Sequence, residues 1–286
     1  MNESEIQSFW EVNPCGEALV DGLNQKSREG YEAFFKRYDK YRYDRGGHIL
    51  TCLDNINFEG KRVLEIGLGQ GADSEQIIRR GGLWSGLDLT PESVSRVKMR
   101  LELKGLSYDD VKQGTALNNP YPDNHFDIVF SHGVLHHIPE IGEAQKEIAR
   151  VLKPSGELIV MLYAKWSMNY LLSIGIARRL TLMLLYFSGW APNKVAEQHI
   201  ANAKKMGIWK YLKLKNFVHY NTDGPQNPYA IVYDLPLVKK DFPEFEPIKS
   251  YKRYMHAPPL PVSWMPFASM MGWHLWVHLR QKNKHH

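Results

Sequence analysis

The stretch RVLEIGLGQGADS, residues 62–74, is an apolar run that breaks into glycines at Gly67, Gly69 and Gly71. Its first residues are β-rich, and the GADSEQIIRRG that follows places apolar residues at helical spacing. The run therefore predicts a strand, a glycine turn and a helix. The same unit recurs in LWSGLDLTPESVSRVKMRLELKG, residues 83–105, a strand ending near Asp88 and a helix capped by Thr90 with Pro91 at its first position. Further along, DVKQGT (110–115) and FDIVFSHG (126–133) read as the third and fourth strands. GEAQKEIARVLKPSG (142–156) reads as a helix stopped by Pro154 and Gly156, and ELIVMLYA (157–164) as the fifth strand. Strictly alternating β and α units imply a doubly wound α/β fold, a parallel sheet with helices on both faces.

Outside residues 59–164 the pattern changes. Residues 1–58 precede the first strand and are helical in SREGYEAFFKRYDKYRYDR (27–45), a cap over the sheet edge or the ligand mouth. After Ala164 a helical insertion, residues 165–229, runs into the turn cluster NTDGPQNP (221–228). Then come a short helix in YDLPLVKKDFP, a strand in FEPIKSYKRYM, the loop APPLPVSWMP and a last, antiparallel strand in GWHLWVHLRQ, which return residues 230–282 to the core. About seven strands result. The 286 residues are 43% hydrophobic and 23% charged, ordinary values for a folded domain, with no internal repeat. Cys15 and Cys52 form no paired motif and the first residues carry no secretion signal, so a reducing, cytoplasmic setting is expected. The terminal KNKHH reads equally as native sequence or as a purification tag.

The net charge of +5 is concentrated in the insertion, where Lys165, Arg178, Arg179, Lys194, Lys204, Lys205, Lys210, Lys213 and Lys215 face a lone Glu197. Its segment NYLLSIGIARRLTLMLLYFSGW (169–190) is apolar, yet Arg178 and Arg179 leave only short apolar runs on either side. It is therefore not expected to cross a bilayer. A lid over an apolar acceptor, an oligomer interface and peripheral membrane contact all suit it.

In an open α/β sheet, ligands bind at the carboxyl ends of the strands where strand order reverses. The glycine turn lies at that place, and free N–H groups of the next helix suit a nucleoside with polar attachments. Gly67, Gly69 and Ala72 also satisfy the dinucleotide fingerprint, and Asp88 stands 21 residues after Gly67, where an acid meets ribose hydroxyls. An NAD(P)-dependent oxidoreductase is thus one reading. The other starts from Glu65, whose carboxylate would suffer near a pyrophosphate but suits a ligand carrying an ammonium group. S-adenosylmethionine is such a ligand.

RVLEIGLGQGADS, SGLDLTPESV, PYPDNHFDIVFSHGVLHHIPE and IARVLKPSGELIVMLY, in this order, together resemble a class I S-adenosylmethionine-dependent methyltransferase of the small-molecule type, similar to ubiquinone and menaquinone biosynthesis methyltransferases. The resemblance implies a Rossmann-like fold and methyl transfer to a small organic acceptor. It implies that Glu65, Gly67, Leu68, Gly69, Gln70 and Gly71 surround the methionine end of the cofactor, that Asp88 binds ribose and that Leu89 lies against adenine. Family members carry an acid for the adenine amino group where this chain has Thr115, followed by Ala116 against the ring. Ser131 and His132 fall between cofactor and acceptor.

His132 is the candidate general base, because a neutral imidazole suits proton removal near neutrality. His136, His137 and Glu140 lack the spacing of a metal set, so no metal is expected and they are assigned to the acceptor wall or helix start. Tyr43, Arg28 and His48 are candidate contacts from the amino-terminal cap. No [DN]PP[YFW] tetrad follows the fourth strand, where SHGV stands, which argues against nucleic acid. A protein that binds the cofactor without catalysis remains a further alternative.

Overall fold

Side chains on successive residues of the central strands go to opposite faces of one sheet. Leu64, Val129, Leu158, Val160, Leu162, Leu275, Val277 and Leu279 pack into one hydrophobic cluster, while Val63, Phe130, Ile159, Met161 and Trp276 pack into another. That alternation, apolar on both sides, is what a sheet covered by helices on both faces requires. The computed structural model describes residues 3–17 and 20–282, so the terminal run from Asn283 lies outside the described residues.

The strands are β1 (Arg62–Ile66), β2 (Leu83–Asp88), β3 (Asp110–Gln113), β4 (Phe126–His132), β5 (Leu152–Tyr163), β6 (Phe245–Arg253) and β7 (His274–Gln281). Their order is β3-β2-β1-β4-β5-β7-β6. β1 to β5 are parallel, with Leu64 opposite Ser85 on one side and Val129 on the other. β7 runs antiparallel to both β5 and β6. This is the Rossmann-like, mixed seven-stranded sheet of class I methyltransferases. β5 begins earlier than its sequence suggests: Leu152 pairs with Phe126, residues 153–156 bulge out, and pairing resumes at Glu157 with Ile128. Pro154 is accommodated in that bulge, where no ladder hydrogen bond is needed.

Helices α1 (Glu3–Val12), α2 (Arg28–Gly46) and α3 (His48–Asp54) precede the sheet. Within it run α4 (Ala72–Arg79), α5 (Pro91–Leu103) and α6 (Ile141–Val151). Thr90 caps α5 as the sequence predicts, its hydroxyl accepting from Ser93 N, and Ser27 caps α2 by accepting from Gly30 N. Tyr31, Phe34, Phe35 and Tyr38 bury one face of α2. Two buried arginines of α5 bind the cap to the core: Arg100 reaches Asp39 at 2.7 Å and Glu75 at 2.9 Å, and Arg96 reaches Glu17 at 2.8 Å. The planes of Arg96 and Arg100 also lie over the rings of Phe34 and Phe35.

The segment between β5 and β6 opens with a π-helical stretch, Asn169–Ala177, that continues without a break into α7 (Arg178–Ser188), followed by α8 (Lys194–Met206). Arg178 and Arg179 do not interrupt the helix. Asn169–Ser188 is one 20-residue helix, long and apolar enough by length and composition to cross a membrane. The insertion meets the sheet where the Tyr163 hydroxyl donates to Asp223 at 3.0 Å and the Trp273 ring stacks on Tyr163 at 4.5 Å.

Candidate functional site

At the carboxyl end of β1 the chain turns through Gly67, at φ +81°, so tightly that a Cβ there would lie 2.2 Å from Val134. Gly69 also has positive φ, +52°, and a Cβ on it would meet nothing nearer than Cys15 at 3.7 Å. The turn thus presents bare backbone to open space. That space is a cavity of about 1160 Å³, its mouth included, bounded by the ends of β1, β2 and β4 and by α1, α2 and the start of α4.

Gly67, Leu68, Gly69, Gln70, Asp88, Leu89, Thr90, Thr115 and Ala116 are in its lining. Asp88 is fixed by three donors: Leu68 N at 2.7 Å on Oδ2, and Thr90 N and Oγ1, each at 2.8 Å, on Oδ1. Burial pushes its carboxyl up and these hydrogen bonds oppose the shift. Gln70 bridges the turn to the cap, donating from Nε2 to Cys15 O and accepting from Arg96. Thr115 lacks the expected carboxylate, but Glu3 of α1 brings one to the same wall, accepting from the Thr115 hydroxyl.

His132, at the end of β4, lines the same cavity, as do Asp73, Arg42, Tyr38, Trp10, Val134 and His137. His132 Nδ1 lies 2.7 Å from Asp73 Oδ2, and Arg42 Nη2 lies 2.7 and 2.6 Å from the two Asp73 oxygens. A contact of that length to an ionised carboxylate requires a proton between, which assigns the hydrogen to Nδ1. Nε2 is then the nitrogen with a free lone pair. Burial alone would raise the Asp73 carboxyl, but Arg42 and His132 outweigh it and hold the group well below the usual carboxylate range. The ring of His132 is backed by Trp276 at 5.0 Å.

Several sequence candidates lie elsewhere. Glu65 is buried within β1, where Oε2 accepts from Ser74 Oγ at 2.6 Å and Trp84 Nε1 at 2.8 Å. Burial, reinforced by Asp73, pushes its carboxyl up to about 8. It does not line the cavity, which Ile66, the last residue of β1, reaches instead. Gly71 packs behind the turn against Val97 and Arg100. Ser131 likewise points away, its hydroxyl donating to Ile66 O at 3.0 Å. Tyr43 donates to Ala72 O at 3.3 Å outside the lining, whereas its neighbour Arg42 is in it. Arg28 pairs with Glu102 on the surface, and His48 contacts His274 at 3.0 Å. Of the two adjacent histidines, His137 lines the cavity and donates from Nδ1 to Tyr229 O, while His136 is buried against Tyr163.

Arg42, Asp73 and Glu3 escaped sequence reading. Tyr38 and Arg42 are four apart on α2, and Asp73 is in the first turn of α4, so each faces the cavity by helical geometry. Nothing local announces that the two helices bring their charges together.

Residues 64–160 match the family model described as a methyltransferase domain. Over 100 residues the chain is 37% identical to a fatty-acid O-methyltransferase of Mycolicibacterium smegmatis, an alignment covering 34% of this chain and 35% of that protein. It is 37% identical over 172 residues to a sterol 24-C-methyltransferase of Gibberella zeae, covering 50% and 45%. Against a ubiquinone biosynthesis O-methyltransferase of Bradyrhizobium it is 30% identical over 119 residues, covering 42% and 44%. The chain thus spans less than half the length of these curated relatives. Among solved structures, an S-adenosylmethionine-dependent methyltransferase of Aquifex aeolicus aligns with TM-score 0.51 and 15% identity over 89% of this chain and 98% of that one. One from Mesorhizobium loti aligns with TM-score 0.52 and 14% identity over 82% and 96%. Identities this low establish likeness of fold alone. The chain is built on the fold of class I S-adenosylmethionine-dependent methyltransferases, and its residues 64–160 are similar in sequence to the methyltransferase domain.

Proposed function

We propose that the protein transfers a methyl group from S-adenosylmethionine to a small apolar acceptor whose nucleophilic atom arrives protonated, a hydroxyl being the simplest case. The observation that carries this reading is the Asp73–His132 pair in the wall of the cavity formed by the glycine turn. The residues present fit the cofactor. Gly69 leaves a cradle that a Cβ would fill, Asp88 offers a carboxylate held by Leu68 and Thr90, and Glu3 offers a second at the Thr115 wall. When bound, the cofactor supplies a methyl group already activated by a sulfonium, so alignment of the acceptor is the main demand on the protein.

His132 takes the acceptor's proton at Nε2 while Asp73 holds the other nitrogen protonated and stabilises the imidazolium that forms. Arg42 keeps Asp73 ionised and in place, which fixes the tautomer. Ile6, Trp10, Val134 and Ile138 give the cavity apolar walls. Fatty-acid, sterol and ubiquinone acceptors named for the relatives share that character, and the ubiquinone branch is one instance of the class. The nicotinamide reading is disfavoured by topology. In the dinucleotide fold a parallel strand follows β5 in the sheet, and here that place belongs to antiparallel β7.

Titration calorimetry with S-adenosylhomocysteine and NADH tests the cofactor, and labelled methyl transfer to a panel of fatty acids, sterols and quinols tests the reaction. Tight S-adenosylhomocysteine binding, with transfer that His132→Ala lowers by about a hundredfold or more, is expected. NADH binding in its place overturns the proposal. Binding without transfer to any member of the panel favours the non-catalytic alternative.

A further inference from the structure

The outer face of the helix Asn169–Ser188 carries a continuous apolar stripe: Leu172, Ile176, Leu180, Leu184 and Phe187, with Trp190 just beyond its end. Leu184 and Phe187 are 71% and 67% exposed. Residues four apart overrun one turn of an α-helix but fall short of one turn of a π-helix, so the π stretch and α7 cancel each other's drift. The stripe therefore stays on one side for the whole length. The opposite side is anchored. Ile174 and Leu182 are buried in the insertion's core, and Arg178 donates to Pro258 O at 3.0 Å and Asn221 O at 2.7 Å.

Exposed lysines follow the stripe along the chain. Lys194, Lys204 and Lys205 lie on α8, which packs beside α7, and Lys210, Lys213 and Lys215 follow it. Among the described residues, none of these six is in an ion pair, and Glu197 is the lone acid between Lys165 and Thr222. A contiguous exposed apolar face marks an interaction site, and the charge beside it selects the partner. A two-fold contact with a second copy would bring these lysines against their own counterparts, like against like. An anionic lipid surface complements both the stripe and the lysines.

We propose that this face is a peripheral membrane-docking surface: the stripe enters the interfacial zone of an anionic bilayer while the lysines meet its headgroups. The helix lies in the interface and does not span, since its inner side is committed to the protein's own core. The inference is independent of the proposed reaction, because it needs neither cofactor nor acceptor.

Co-sedimentation of the whole chain with two kinds of vesicle tests it, one of phosphatidylcholine alone and one of phosphatidylcholine and phosphatidylglycerol in equal parts. Binding to the anionic vesicles at least about tenfold tighter, lost at high salt, is expected. Leu184→Glu with Phe187→Glu should abolish it while the melting temperature and monomer mass are retained. Lys204→Glu with Lys205→Glu, which leaves the apolar stripe intact, should weaken it several-fold. Absence of wild-type binding to the anionic vesicles overturns the proposal. So does equal binding by either double variant, or a dimer in ultracentrifugation that the Leu184→Glu and Phe187→Glu pair dissociates while vesicle binding is absent.

Discussion

Asp73 holds Arg42 and His132 together, and its depressed carboxyl pKa is a statement about stability as well as chemistry. A carboxylate with a folded pKa below its unfolded value, near 3.9, stabilises the fold fully above that pH and loses the effect as pH falls through the folded value. Asp73→Asn leaves the largely buried Arg42 without its countercharge, and urea denaturation at pH 7 should show a loss of about 3 kcal/mol. The gap to wild type should close below about pH 4. Glu65 works in the opposite sense. Its folded carboxyl, at about 8, keeps a proton that the unfolded chain releases near pH 4.5, so the fold loses stability as pH rises between those values. Glu65→Gln retains an acceptor for Ser74 and Trp84. It should therefore remove a slope of up to about 1.4 kcal/mol per pH unit over that range, and leave S-adenosylhomocysteine affinity unchanged in calorimetry. The pairs Glu65/Ile66 and Ser131/His132 show how far a motif reads. It locates a strand end, but only the last residues of β1 and β4, Ile66 and His132, reach the cavity, while Glu65 and Ser131 sit one residue back within the sheet. Arg42 and Asp73 meet through helix packing across 31 positions, which no local pattern encodes.

Helix α1 closes the site from outside the matched domain. Glu3, Ile6 and Trp10 all line the cavity, and the Trp10 ring meets His137 edge-on at 5.1 Å. The helical spacing of Ile6, Phe9 and Trp10 in this helix is easily passed over in the sequence, where the longer aromatic series of α2 dominates the region. Its proximity to Thr115 was not legible, because the contact spans 112 positions. A chain beginning at Pro14 should keep its fold and lose S-adenosylhomocysteine affinity by about tenfold, roughly 1.4 kcal/mol, in calorimetry. A cut near residue 50 would do something different. It removes Asp39 from Arg100 and strips Phe34, Phe35 and Tyr38 from the buried cluster, so it tests folding and not closure. The π stretch of the insertion had no signature in the sequence, since apolar composition alone does not distinguish π from α winding.

At the scale of the molecule, the alternating units from Gly60 to Ala164 were legible because β1, β4 and β5 are apolar on both faces and α5 carries its Thr90 cap and first-turn Pro91. The order of the last strands follows from pairing between segments more than a hundred residues apart, as in Leu158 with Leu279, and that order sets the molecule apart from the dinucleotide fold. The cavity is bounded by the cap, the glycine turn and the ends of three strands, so a ligand filling it should tighten the whole body. S-adenosylhomocysteine at about a hundred times its Kd contributes about 2.7 kcal/mol, and the melting temperature should rise by roughly 5–10 °C. NADH at the same concentration should leave it in place.

The position of β7 also bears on biosynthesis. Last of the seven strands in sequence, it is an interior strand, clasped between β5 and β6. A ribosome releases the chain in order, so β5 waits with its hydrogen-bonding edge bare, and β6 has no place to join, until residues 274–281 have emerged. The nascent protein thus passes through a stage in which β1 to β5 have emerged while β6 still lacks its keystone β7, and it is in that interval that chaperones would find it most in need of shelter.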